Sequence, residues 1–109
     1  MVERRVQIEP NHLAELWRVL GPYREEFSSV RVFGSRATGR ARRASDIDLV
    51  LTGVTPKVLG CIEEDLENSL LPMTVDVLAY EDIHSDVLRS HIDRFALPLP
   101  EPEEPAQAA

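Results

Sequence analysis

Two aspartates stand two residues apart, Asp46 and Asp48, at the start of an apolar run, with a third, Asp76, in the middle of TVDVL. Upstream of the pair lies Gly34-Ser35-Arg36, and Arg40, Arg42 and Arg43 follow in the same stretch, GSRATGRARRASDIDL. Carboxylates at i and i+2 of a strand project to one face and can share a cation. Mg²⁺ is suited to such a pair, because it takes a few carboxylates together with substrate phosphates. Asp-X-Asp alone is also what solvated acids beside arginines look like. The preceding loop adds phosphate chemistry. Gly34 lets backbone N–H groups approach a phosphate, the Ser35 hydroxyl adds a donor, and Arg36 can add charge-assisted bonds. If the strand holding Asp76 lies beside the strand holding Asp48, three acids share one face next to a phosphate-holding loop. That layout suits phosphoryl-type transfer supported by two metal ions.

These residues must be positioned by a small fold. Leu13, Leu16, Trp17 and Leu20 have helical spacing, with Asn11 as the expected cap, and Gly21-Pro22 stops or breaks the helix. Val30 to Phe33 reads as a strand ended by Gly34, with a short helical turn expected over Arg36 to Gly39. Asp46 to Leu51 reads as a second strand, in which Asp46, Asp48 and Val50 face away from Ile47, Leu49 and Leu51. Leu59, Ile62, Leu66 and Leu70 mark a helix, with Cys61 beside the stripe as a packing residue. Thr74 to Leu78 reads as a third strand, suited to burial apart from Asp76. Ser85 to Leu97 reads as a last helix with Val87, Leu88, Ile92 and Phe95 inward.

The 109 residues suffice for one small domain, expected over 1–97. Residues 98–109 are rich in Pro, Glu and Ala and are expected to form a loose tail. The net charge of −7 argues against a general nucleic-acid surface. Yet Arg31 to Ser45 holds five arginines and no acid. A single cysteine, Cys61, allows no internal disulfide, and a reducing cytoplasm is the expected location. The N-terminal residues show no apolar signal core, and no stretch reaches membrane-spanning length. The loop lacks the Gly-Lys-Ser/Thr of a Walker A motif and the spacing of a dinucleotide fingerprint.

The stretch resembles the signature of the DNA-polymerase-β-like nucleotidyltransferase superfamily, and most closely its minimal nucleotidyltransferases. The matching positions are Gly34, Ser35, Gly39, Ser45, Asp46, Asp48 and Leu49, with Asp76 as the third acid. The resemblance implies an α+β fold, a small mixed sheet with helices packed on one face. It implies transfer of AMP from ATP to a hydroxyl, with two Mg²⁺ ions held by Asp46, Asp48 and Asp76. Gly34, Ser35, Arg36 and Ser45 would serve the nucleotide. Arg40, Arg42 and Arg43 fit a solvated or partner-facing loop as well as substrate contact. Ala79-Tyr80 stands where many relatives continue with a further Asp-Leu. The same resemblance implies a partner, a helical HEPN-type toxin, with this chain as its antitoxin and a toxin tyrosine as the acceptor. The alternatives are an antitoxin that only masks the toxin, or an enzyme acting on a small molecule or an RNA end.

Overall fold

The structure, a computed structural model, describes residues 5–102. Its elements follow in the order α1 (Pro10–Leu20), a 3₁₀ helix (Gly21–Glu26), β1 (Ser29–Phe33), α2 (Ser35–Thr38), β2 (Ile47–Thr52), α3 (Pro56–Glu67), β3 (Val75–Ala79), a 3₁₀ turn (Tyr80–Asp82), α4 (Asp86–Phe95) and β4 (Leu97–Pro98). The four strands form one sheet in the order β3-β2-β1-β4. β2 runs antiparallel to β1 and parallel to β3, and β4 is antiparallel to β1. This is the mixed α+β architecture expected from the sequence.

Strand alternation divides the sheet into two faces. Val30, Val32, Ile47, Leu49, Leu51 and Val77 join Leu16, Leu20, Ile62 and Leu66 from α1 and α3 in the main core. On the other face Phe33 and Val50 pack with Ile83 and Ile92. So α4 covers part of the second face, while α1 and α3 fill the first; the helices are not confined to one face as expected, because Phe33 and Val50 leave an apolar patch on the second face for Ile92 and Leu88 to cover. No helix among the described residues is long and apolar enough to cross a membrane.

Helix starts follow local chemistry. The Thr55 hydroxyl accepts from the Val58 N–H before Pro56 opens α3, and the Ser85 hydroxyl accepts from the Leu88 N–H at α4. α1 departs from expectation, because it begins at Pro10 with Glu9 as an N-cap whose side chain makes no capping bond. Proline at the first position sets φ and needs no N–H partner, so the helix starts one residue before Asn11. Gly21-Pro22 does not end the helical path but tightens it into the 3₁₀ segment.

Three expected core positions lie outside the core. Leu70 is 86% exposed, because α3 has already ended at Glu67. Val87 is 82% exposed and Phe95 is exposed too, since α4 meets only a narrow sheet patch and presents Ile92 and Leu88 to it. Cys61 is an exposed thiol, not a packing residue.

The C-terminal segment is docked further than composition suggests. Pro98 pairs with Arg31, the Leu99 N–H donates to the Val30 carbonyl, and the Leu99 side chain is buried. The Trp17 indole N–H donates to the Pro100 carbonyl at 2.6 Å. Arg24 stacks 4.1 Å over that indole ring and pairs with Glu101. A boundary after residue 97 therefore cuts through an ordered contact. The remainder of the expected tail, residues 103–109, lies outside the described residues.

Candidate active site

β1 ends at Phe33, which lies opposite Asp48 on β2. The chain then turns through Gly34, whose φ of 76° belongs to the region that favours glycine. α2 begins immediately at Ser35 and ends on Gly39, with a φ of 85° and an N–H donating to the Ser35 carbonyl. A β-carbon built on Gly34 would lie 2.5 Å from Asp48 Oδ2. The glycine turn and the carboxylate thus meet at one point, and only the missing side chain makes room for both. Gly34→Ala should displace the Asp48 carboxylate and strain the turn. Its expected cost is about 1–3 kcal/mol of stability, readable by denaturant titration, with a larger loss in transferase rate.

Asp48 and Asp76 are direct cross-strand partners in the parallel ladder between β2 and β3. They share a face and a level, as expected for paired carboxylates on adjacent strands. Asp46 sits exposed just before β2, on the same side by alternation. The setting of Asp76 differs from the one its sequence suggests. TVDVL reads as an interior strand in which a charge is costly, yet β3 is the edge of the sheet and Asp76 is exposed. Its register against Asp48, not burial, joins it to the pair.

Burial of Asp48, half-covered between Gly34 and β3, pushes its carboxyl pKa up, and the charges of Asp76 and Asp46 push it further. The sign for stability follows. The folded chain holds that proton more tightly than the unfolded chain, so ionised Asp48 opposes folding. Without metal, stability should rise as pH falls from Asp48's raised pKa toward the ordinary carboxylate value. Divalent-cation affinity should fall over the same range, because protons compete for the ligand. Melting curves with and without Mg²⁺ across acid pH check both: the stabilising increment from Mg²⁺ should shrink as the apo midpoint climbs.

Among the described residues, no three His, Cys, Asp or Glu side chains stand close enough together to hold a metal ion. The direct cross-strand pair is Asp48 and Asp76, and Mg²⁺ can be served by two carboxylates because it completes its shell with phosphates and water. The donor chemistry fits. Asp48 feels both neighbouring carboxylates, and a hard dication would relieve that repulsion.

Arg36 does something the sequence did not indicate. It is 5% exposed, and its guanidinium donates to the carbonyls of Gln7 (2.6 Å), Ser45 (2.7 Å), Asp46 (3.3 Å) and Arg43 (3.4 Å). Its donors face main chain, so the expected phosphate contact is replaced by a positioning role. It ties α2 to the loop that delivers Asp46. Ser45 is part of the same clasp, its hydroxyl accepting from the Arg42 N–H. Gln7 belongs to the same clasp. Its N–H donates to the Arg36 carbonyl and its side-chain oxygen accepts from the Ala41 N–H, strapping the N-terminal segment onto the loop. Nothing in VQIEP marks this, because the contact is with residues some thirty positions away. Arg42 and Arg43 line a separate hollow with Gln7, Glu9 and His12, and not the carboxylate groove.

Comparison with known proteins accords with this geometry. Residues 16–97 match the nucleotidyltransferase domain family. A solved minimal nucleotidyltransferase is 33% identical, with a TM-score of 0.63 over 84% of this chain and 97% of its own. A toxin–antitoxin crystal structure containing AMP-PNP aligns with a TM-score of 0.63 at 20% identity, over 82% of this chain and 73% of that one. A mutant of the toxin–antitoxin pair MntA-HpeT aligns with a TM-score of 0.61 at 16% identity, over 86% and 74%. At such identities these last two share the fold. None of the curated proteins is significantly similar in sequence. With its glycine turn closing on Asp48, and Asp48 set in register against Asp76, the chain belongs to the nucleotidyltransferase domain family, among its minimal nucleotidyltransferases.

Proposed function

We propose that this nucleotidyltransferase moves AMP from ATP onto a tyrosine hydroxyl of a helical HEPN-type toxin in the cytoplasm and so acts as its antitoxin. The observation that carries the reading is the Asp48–Asp76 register beside Gly34. The likeness to solved toxin–antitoxin complexes, one of them containing AMP-PNP, supports the partner class. In the reaction the acceptor oxygen bonds to the α-phosphorus and the bond from that phosphorus to the bridging oxygen breaks. Pyrophosphate leaves, and the acceptor proton passes to Asp76. Gly34 and Ser35 would hold the β- and γ-phosphates. Asp46, Asp48 and Asp76 would hold two Mg²⁺ ions, which neutralise phosphate charge and lower the pKa of the acceptor hydroxyl. Direct nucleic-acid binding is not part of this reading, given the acidic chain.

One observation speaks for masking without turnover: Val87 stands exposed on α4, as a contact residue would. Co-expression separates the two. If Asp48→Asn no longer protects cells from the co-encoded toxin, transfer is the protective event. Full protection by that variant would instead assign the chain to masking.

A further inference from the structure

β3 is the last strand of the sheet, and no strand among the described residues pairs with its outer edge. Edges of this kind are commonly blunted by lysine, proline or a bulge. Val75–Ala79, VDVLA, carries no lysine or proline, and its one charge is Asp76. The Thr74 carbonyl accepts from the Ile47 N–H, so ladder alternation turns the N–H and C=O of Val75 and Val77 outward. A groove of 830 Å³ runs along this edge. Asp48 and Asp76 line it on the carboxylate face, and Glu63 and Glu67 of α3 line it on the helix face.

We propose that this edge receives an extended segment of the acceptor protein as one more strand, with a hydroxyl residue opposite Asp76 and Lys or Arg on either side of it. Strands pair about 4.8 Å apart, and residues directly opposite share a face. A residue facing Asp76 therefore presents its side chain to the carboxylates. Its two neighbours in the segment project to the other face, where Glu63 and Glu67 call for cations. The inference rests on the transfer reading and adds how the acceptor is held: main-chain pairing gives affinity, and alternate side chains give selectivity.

A second copy of this chain fits poorly. Antiparallel pairing about Asp76 would set Asp76 against its copy and bring two chains of net charge −7 together. The chain's own last residues, PEEPAQAA, offer two prolines without N–H groups and two glutamates to an acidic groove.

The test uses the full chain and two synthetic probes, Val-Lys-Tyr-Lys-Val and Val-Glu-Tyr-Glu-Val, read by amide hydrogen exchange without ATP. The lysine probe should slow exchange at Val75 and Val77 about tenfold or more, and the glutamate probe should leave it unchanged. The double variant Glu63→Lys/Glu67→Lys should reverse that preference. Equal or absent protection from the two probes would overturn the inference, as would protection confined to α4. Protection already present in the isolated chain, with a doubled mass in solution, would assign the edge to self-pairing and also overturn it. Exchange reads docking alone, so failure of label transfer to the toxin would count against the transfer reading and leave this result standing.

Discussion

Asp48→Asn should abolish transfer while leaving the protein at least as stable as before. The expected loss in rate is about a thousandfold or more, equivalent to some ~4 kcal/mol of transition-state stabilisation. Asp48 is the only one of the three acids that faces both the glycine turn and the opposing strand. It also bears the unfavourable side of the arrangement, since burial and two neighbouring carboxylates oppose its ionisation. An amide of the same shape keeps the packing and removes the charge. In metal-free buffer at neutral pH the melting midpoint of Asp48→Asn should therefore rise above that of the parent chain. A residue kept for structure gives the opposite pattern, with activity and stability falling together. Calorimetry paired with a transfer assay on one preparation distinguishes the two patterns.

Arg36 should show that opposite pattern. Arg36→Ala leaves the Gln7, Arg43, Ser45 and Asp46 carbonyls without their shared donor at part-buried positions. Arg36 itself is buried, and its loss removes packing as well as bonds to part-buried acceptors, so the expected loss is about 2 kcal/mol. Arg36→Lys keeps the charge but not the planar fork, and one ammonium cannot reach carbonyls arrayed around a guanidinium. It should recover only part of the stability. Where it folds, it should raise the KM for ATP and lower kcat, because the 40–46 loop no longer presents Asp46 in one position. An Arg36→Ala variant with the parent's denaturation midpoint would remove the positioning role.

The contrast between these residues explains what the sequence could and could not disclose. Carboxylate spacing is local, and strand alternation is a fixed property of the backbone, so Asp46 and Asp48 on one side of an apolar strand could be read directly. Asp76 was legible as an acid among valines. Its true setting was not, because whether a strand lies inside a sheet or at its edge is decided by other strands. Arg36 looked like a phosphate ligand because it adjoins Gly34-Ser35. Its partners Gln7 and Ser45 are brought to it only by the tertiary path of the chain. Composition likewise described Pro98 to Glu101 as loose, whereas Trp17 and Val30 supply the donor and acceptor that fix it. The buried stripe of α4 is narrower than its helical spacing implies, for a similar reason. Helical spacing shows which side chains align, and the size of the facing sheet patch sets how many are covered.

The transfer of a nucleotidyl group, as opposed to a terminal phosphate, is the central claim, and the position of the label on ATP tests it most directly. The purified chain is incubated with Mg²⁺, its co-encoded neighbour protein, and ATP labelled on either the α- or the γ-phosphate. Label from α-phosphate should become covalently attached to a tyrosine of the neighbour, label from γ-phosphate should leave as pyrophosphate, and Asp48→Asn should attach neither. Attachment of the γ-label, no attachment of the α-label, or α-labelling undiminished in Asp48→Asn would contradict the account.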